Sequence, residues 1–228
     1  MNSIGIDIVA LHEVDIQRTV LPQFYSKIIT AAELACYDAA AMPFYQYIWL
    51  LWSVKEAAYK CASRLQPGLL FSPTRTLVSN ISILATAASN YGPELQDDVI
   101  IAQVEVNGLQ LHTHSVVTEN YIVSIACTGS FDEVQWDVRH IDDPHPDNQS
   151  AMVRQLVIKE LQEYYPQPCN IAIAKTIEGL PIIVRDDSIV DDNMPLSFSH
   201  HGHYVAYAFV VPRRFKCLKV HSEPLPGS

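Results

Sequence analysis

The sequence predicts an α+β protein of two similar lobes, each a small antiparallel sheet with a packed helix. Three observations carry this reading. Strand-like runs fall in two groups, Val99 to Cys127 and Asn170 to Val211. A helical pattern accompanies each group, at Tyr45 to Arg64 and at Ala151 to Tyr165. The groups also share a weak repeat: Asn107-Gly108-Leu109, Leu111-His112-Thr113-His114 and Tyr121 to Ala126 against Glu178-Gly179-Leu180, Leu196 to His200 and Tyr204 to Phe209. The division is expected at residues 1–140 and 141–228.

The elements follow in order. Ile4-Gly5-Ile6-Asp7-Ile8-Val9 reads as a buried strand in which Asp7 is the anomaly. Pro22 to Tyr37 reads as helix, with Thr30 a cap and Glu33 at capping-box spacing. The helix from Tyr45 to Arg64 ends at Pro67-Gly68. Strands Val99 to Val106 and Leu109 to Val116 are joined by Asn107-Gly108, a two-residue hairpin turn, and Asn120 to Cys127 follows. Trp136 to Ser150, rich in Asp, Pro, His and Asn, reads as a linker. Ala151 to Tyr165 presents Met152, Val153, Leu156, Val157 and Leu161 on one helical face. Strands are expected at Asn170 to Thr176, Pro181 to Val184, around Leu196 to Ser199, and at Tyr204 to Val211.

Composition narrows the function. Of 228 residues 49% are hydrophobic and 18% charged, with mean hydropathy +0.08, so the chain can build a core and is not a disordered tail. Lys and Arg number 15 against 25 Asp and Glu, a net charge of −10, the reverse of a nucleic-acid binder. Arg213, Arg214, Lys216 and Lys219 form the densest basic run, either a solubilising tail or a docking patch for an acidic partner. Cys36, Cys61, Cys127, Cys169 and Cys217 make no CxxC pair, which argues against a zinc site or redox motif, and most of them sit among apolar residues and read as reduced core residues. No apolar stretch approaches a membrane span, and no basic segment precedes an apolar one at the start. A cytoplasmic protein without membrane or nucleic-acid partners is expected.

Three places could carry chemistry. In Trp52-Ser53-Val54-Lys55-Glu56-Ala57-Ala58-Tyr59-Lys60, helical spacing puts Ser53, Glu56, Lys60, Ser63 and Arg64 on one face of an otherwise apolar helix, with Lys55 at its edge. Glu56 and Lys60 are either a solvated i,i+4 pair or working groups in a buried helix. Asp7 is either satisfied structurally or joins Glu56 on a divalent metal; two carboxylates with open water positions suit Mg²⁺ gripping phosphates. In Leu196-Ser197-Phe198-Ser199-His200-His201-Gly202-His203-Tyr204 the histidines invite a metal reading. Adjacent His200 and His201 point apart on a strand, however, and no further ligand stands at metal spacing. They are surface turn residues, or a Ser-His pair that donates to phosphate.

Together these motifs resemble the 4′-phosphopantetheinyl transferase superfamily. The resemblance rests on Gly5-Ile6-Asp7-Ile8, on the helix from Trp52 to Lys60, on Phe198-Ser199-His200, and on Gly179-Leu180-Pro181 ahead of the last. It spans nearly the whole chain. The motif order is that of the short holo-acyl-carrier-protein synthases and the reverse of the two-lobed surfactin-type enzymes. The resemblance implies transfer of 4′-phosphopantetheine from coenzyme A, as co-substrate, to a serine of an apo acyl or peptidyl carrier protein, with Mg²⁺. Asp7 and Glu56 would hold the metal, Glu56 and Lys60 would be catalytic, and Lys55, Lys60, Ser199 and His200 would bind coenzyme A. Arg154, Lys159, Lys175 and Arg185 are candidates for its 3′-phosphate. Val9 stands where surfactin-type members carry a second acid, so a water would be the third ligand. The glycine usual after the helix is displaced to Gly68. One composite site in a monomer is expected. The rival readings are a non-catalytic relative that binds coenzyme A or a carrier protein, and a metal hydrolase using the histidines.

Overall fold

The computed structural model describes residues 2–37, 41–84, 99–165, 169–186, 188–189 and 194–212. The basic run at Arg213, Arg214, Lys216 and Lys219, and Cys217, lie outside them. The fold is α+β with antiparallel sheets. The chain opens with β1 (Ile4–Ala10), passes through three short helices, α1 (Ile16–Thr19), α2 (Pro22–Tyr25) and α3 (Ala31–Ala35), and enters the long helix α4 (Phe44–Ser63). Strands β2 (Leu77–Leu84), β3 (Val99–Val106), β4 (Leu109–Val117) and β5 (Tyr121–Cys127) complete a five-stranded sheet ordered β1-β5-β4-β3-β2. Asn107 and Gly108 both take positive φ, 49° and 80°, which is what the tight β3–β4 hairpin needs.

The single helix expected over 22–37 is two helices. Ser26 caps α2, and the capping box opens α3: the Thr30 hydroxyl accepts from the Glu33 N–H, and the Glu33 carboxylate accepts from the Thr30 N–H. Ile28 and Ile29, between them, are buried under α4.

The stretch expected as a linker is largely structured. It supplies β6 (Val134–His140) and the start of α5 (Pro146–Leu161), whose first turn His145 caps. Strands β7 (Ile171–Lys175), β8 (Pro181–Arg185) and β9 (Ser188–Ile189) form one small sheet, and β10 (Leu196–His201) and β11 (Tyr204–Val210) pair with β6 in another, ordered β10-β11-β6. There are thus three described sheets rather than one per lobe. With a division at residue 140, β6 falls on the opposite side from β11, the strand it pairs with.

β1 is buried along its whole length. Ile4, Ile6 and Ile8 share a core with Ala206, Ala208 and Val210 of β11, while Val9 shares one with α4. Gly5 lies against α4 so closely that a Cβ there would sit 2.6 Å from the Cys61 amide nitrogen and closer still to the Ala57 carbonyl. The outer edge of β1 meets β10. The N–H groups of Ile6, Ile8 and Ala10 donate to Ser197 Oγ, Ser199 Oγ and His201 Nδ1, at 3.1, 3.2 and 2.9 Å. Each pair is 191 residues apart in sequence, so the two strands advance in step, joined through side chains instead of backbone carbonyls.

Candidate active site

The close approach at Gly5 brings Asp7 beside the polar stripe of α4. Asp7 is 7% exposed. Its Oδ1 accepts from Lys60 Nζ at 2.8 Å and from the Ser199 hydroxyl at 2.9 Å. Lys60 also donates to the Ile6 carbonyl and to Ser199 Oγ. The Ser53 hydroxyl donates to the Asp7 carbonyl. Strand β1, helix α4 and strand β10 therefore converge on one carboxylate.

Glu56, one turn before Lys60, makes no hydrogen bond or ion pair among the described residues. Burial, and then the negative charge of Asp7, push its carboxyl pKa up, with Lys60 opposing. No hydrogen bond reaches Asp7 Oδ2 either, among the described residues. Two neighbouring carboxylates that repel each other and have oxygens left over fit a divalent cation, which relieves the repulsion and takes the free lone pairs. Among the described residues no group of three or more His, Cys, Asp or Glu is arranged to hold a metal. The three histidines after Ser199 have separate tasks. His201 Nδ1 accepts from Ala10, and His203 bonds the Ile141 carbonyl and stacks on His140.

A cleft of about 420 Å³ opens beside Lys60, lined by Arg64, Arg154, Lys175, Gly179 and His200 among others. His200 is open to solvent on one side; the partial loss of water on its other side, and then the Lys60 ammonium, lower its pKa, and Asp7 opposes them. Arg64, at the C-terminal end of α4, donates to the carbonyls of Pro181 in β8 and Leu196 in β10, so it ties the cleft's two walls together. Of the four basic candidates for the 3′-phosphate, Arg154 and Lys175 line the cleft. Lys159 and Arg185 do not; Arg185 lies over the Tyr165 ring and pairs with Asp186.

The structure departs from expectation at Lys55. Its side chain is fully enclosed, and its ammonium donates to the Ile28 and Pro73 carbonyls and to Glu33 Oε2 at 2.8 Å. It points away from the cleft, so it cannot serve as a coenzyme A contact. Glu33 was legible only as a cap. Its second oxygen accepts from the Val78 N–H, so one buried carboxylate holds α3, α4 and β2. Ser199 also departs: it is buried, and its hydroxyl faces Asp7.

A model of the 4′-phosphopantetheinyl transferase superfamily matches residues 3–126, more than half of the chain. The chain belongs to this superfamily, whose members are transferases of the 4′-phosphopantetheinyl type. The matched span runs from β1 to β5 and contains Asp7, Glu56 and Lys60; Ser199 and His200 lie beyond it. No curated protein matches the chain.

Proposed function

We propose that this protein transfers the 4′-phosphopantetheine arm of coenzyme A to a serine of an apo acyl or peptidyl carrier protein, as a holo-acyl-carrier-protein synthase does. The observation that carries the reading is the pairing of Asp7 and Glu56 beside Lys60 at the edge of a cleft lined with cations. Asp7 and Glu56 would hold Mg²⁺, which supplies charge neutralisation at the diphosphate when bound. Glu56, its pKa raised by burial and by Asp7, is the group suited to take the proton of the carrier serine. The serine oxygen bonds the β-phosphorus. The bond from that phosphorus to the bridging oxygen breaks, and its electron pair leaves with adenosine 3′,5′-bisphosphate. His200 would face the diphosphate from one wall of the cleft; Lys60, whose three N–H groups go to Ile6, Asp7 and Ser199, would act on it through its charge, and Arg154 and Lys175 would take the 3′-phosphate. On this reading one chain supplies groups from both of its halves to one composite site, and the working form would be a monomer in the cytoplasm.

The test is mass spectrometry of an apo carrier protein incubated with coenzyme A, Mg²⁺ and this protein. A gain of one phosphopantetheine is expected, and Asp7→Asn or Glu56→Gln should each slow it by at least ~10²-fold, the scale of losing charge stabilisation in a transition state. An unmodified carrier, with coenzyme A bound, would make the protein a binding homologue instead.

A further inference from the structure

The geometry points to Ser199 as a positioning residue for the metal-binding carboxylate, and not as a contact to coenzyme A; this rests on the metal site of the function proposed above. A serine hydroxyl has one proton and two lone pairs. All three are used here. The proton goes to Asp7 Oδ1, and the oxygen accepts from the Ile8 N–H and from Lys60. A phosphate oxygen needs a donor, and Ser199 has none left. Ser199 is also buried and does not line the cleft, whereas its neighbours Phe198 and His200 do.

The same bonds give it a task. Oδ1 is pinned by Ser199 and Lys60, which restrains the carboxylate and leaves Oδ2, without a hydrogen bond among the described residues, as the oxygen that would meet a cation. Ser199 is in turn fixed, because its acceptor bond to Ile8 belongs to the side-chain ladder that joins β10 to β1. The second half of the chain thereby sets the orientation of a ligand that the first half carries. Ser197 makes the equivalent bond to Ile6 but has no hydrogen bond to Asp7, so it is a built-in control.

The experiment measures Mn²⁺ binding to the full chain by electron paramagnetic resonance, with no carrier present, and coenzyme A binding by calorimetry in chelator. Removing a hydrogen-bond partner of a metal ligand typically weakens metal affinity 10–100-fold. Ser199→Ala should therefore lose ~10-fold or more in Mn²⁺ affinity. Ser199→Thr should recover it, and Ser197→Ala should bind Mn²⁺ as the wild type does. Metal-free coenzyme A affinity should be unchanged in Ser199→Ala. Equal losses in Ser197→Ala and Ser199→Ala would reduce Ser199 to a structural rung and overturn the assignment. A loss of metal-free coenzyme A affinity would also overturn it, by placing Ser199 on the ligand. A wild-type chain that binds no Mn²⁺ removes the metal site and the positioning role together. One that binds Mn²⁺ but modifies no carrier refutes the transfer reaction alone, and the serine comparison still decides.

Discussion

Lys55 shows what a fully enclosed ammonium implies. Its charge is balanced by Glu33 and two carbonyls, while burial pulls its pKa down against the pull of Glu33. Removing one partner of such a pair leaves the other charge buried, at a cost of roughly 3–5 kcal/mol. Lys55→Met should therefore lower the unfolding free energy by about that much in urea titrations, without changing coenzyme A affinity in the folded fraction. A variant of normal stability that has lost coenzyme A binding would return Lys55 to the site. His114 is a half-buried titrating group. Its ring stacks on Phe131, with centroids 3.5 Å apart, and burial followed by His112 pushes its pKa from 6.5 to about 4. Below pH 6.5 the unfolded chain takes up a proton that the folded chain refuses until about pH 4, so stability falls as the medium is acidified through that window. In urea titrations at both ends of the window, His114→Phe should narrow the wild-type difference; an equal difference in both proteins would discard the assignment. Helical spacing read the stripe of Glu56, Lys60 and Arg64 correctly as a face, because that face is a property of one helix. It could not read Lys55, whose partner arrives from the capping box of another element.

At the scale of elements, the pairing of β1 with α4 sets the distance between the two carboxylates. Gly5 permits it, since any Cβ there meets the backbone of α4, which cannot step aside. Overpacking of this kind costs ~1–3 kcal/mol and more where backbone must move. Gly5→Ala should lower the melting temperature and weaken Mn²⁺ binding together, because the strand that carries Asp7 is pushed from the helix that carries Glu56. A thermal melt identical to wild type would show that the approach is slack. β1, α4, β3, β4, β5, α5 and β11 were legible because each has a long periodic pattern or a strong turn signal. β6 was not. Its alternation of Val134, Trp136 and Val138 was present, but Asp137, Arg139 and His140 run into Asp142, Asp143 and Pro144, and the polar composition outweighed the period. A helix of four residues such as α1 completes barely one turn and leaves no period to detect, and α2, equally short, reads in the sequence as the start of a longer helix.

For the molecule as a whole, the bonds from Ser199 to Asp7 and from Arg64 to Leu196 run between the first and last thirds of one chain. A ligand seated in that cleft should stabilise the fold by linkage. At coenzyme A concentrations ~100-fold above its dissociation constant the gain is roughly 2.7 kcal/mol. A melt in saturating coenzyme A and Mg²⁺ that does not rise would argue against the pocket. If each chain completes its own site, co-refolding Glu56→Gln with His200→Ala should give no more activity than the two variants separately; recovery of activity would mean that chains exchange halves.

The ladder between β1 and β10 also has a consequence in time. A ribosome adds 191 residues between Ala10 and His201, which takes roughly 10–40 s at ordinary elongation rates. Through that interval the first half can assemble its own sheet, but the outer N–H groups of Ile6, Ile8 and Ala10 have no acceptors from β10. A bare strand edge is a template for any other chain that passes. The nascent protein is therefore open to mispairing at the strand that carries Asp7 until the rungs of β10 are synthesised and close it.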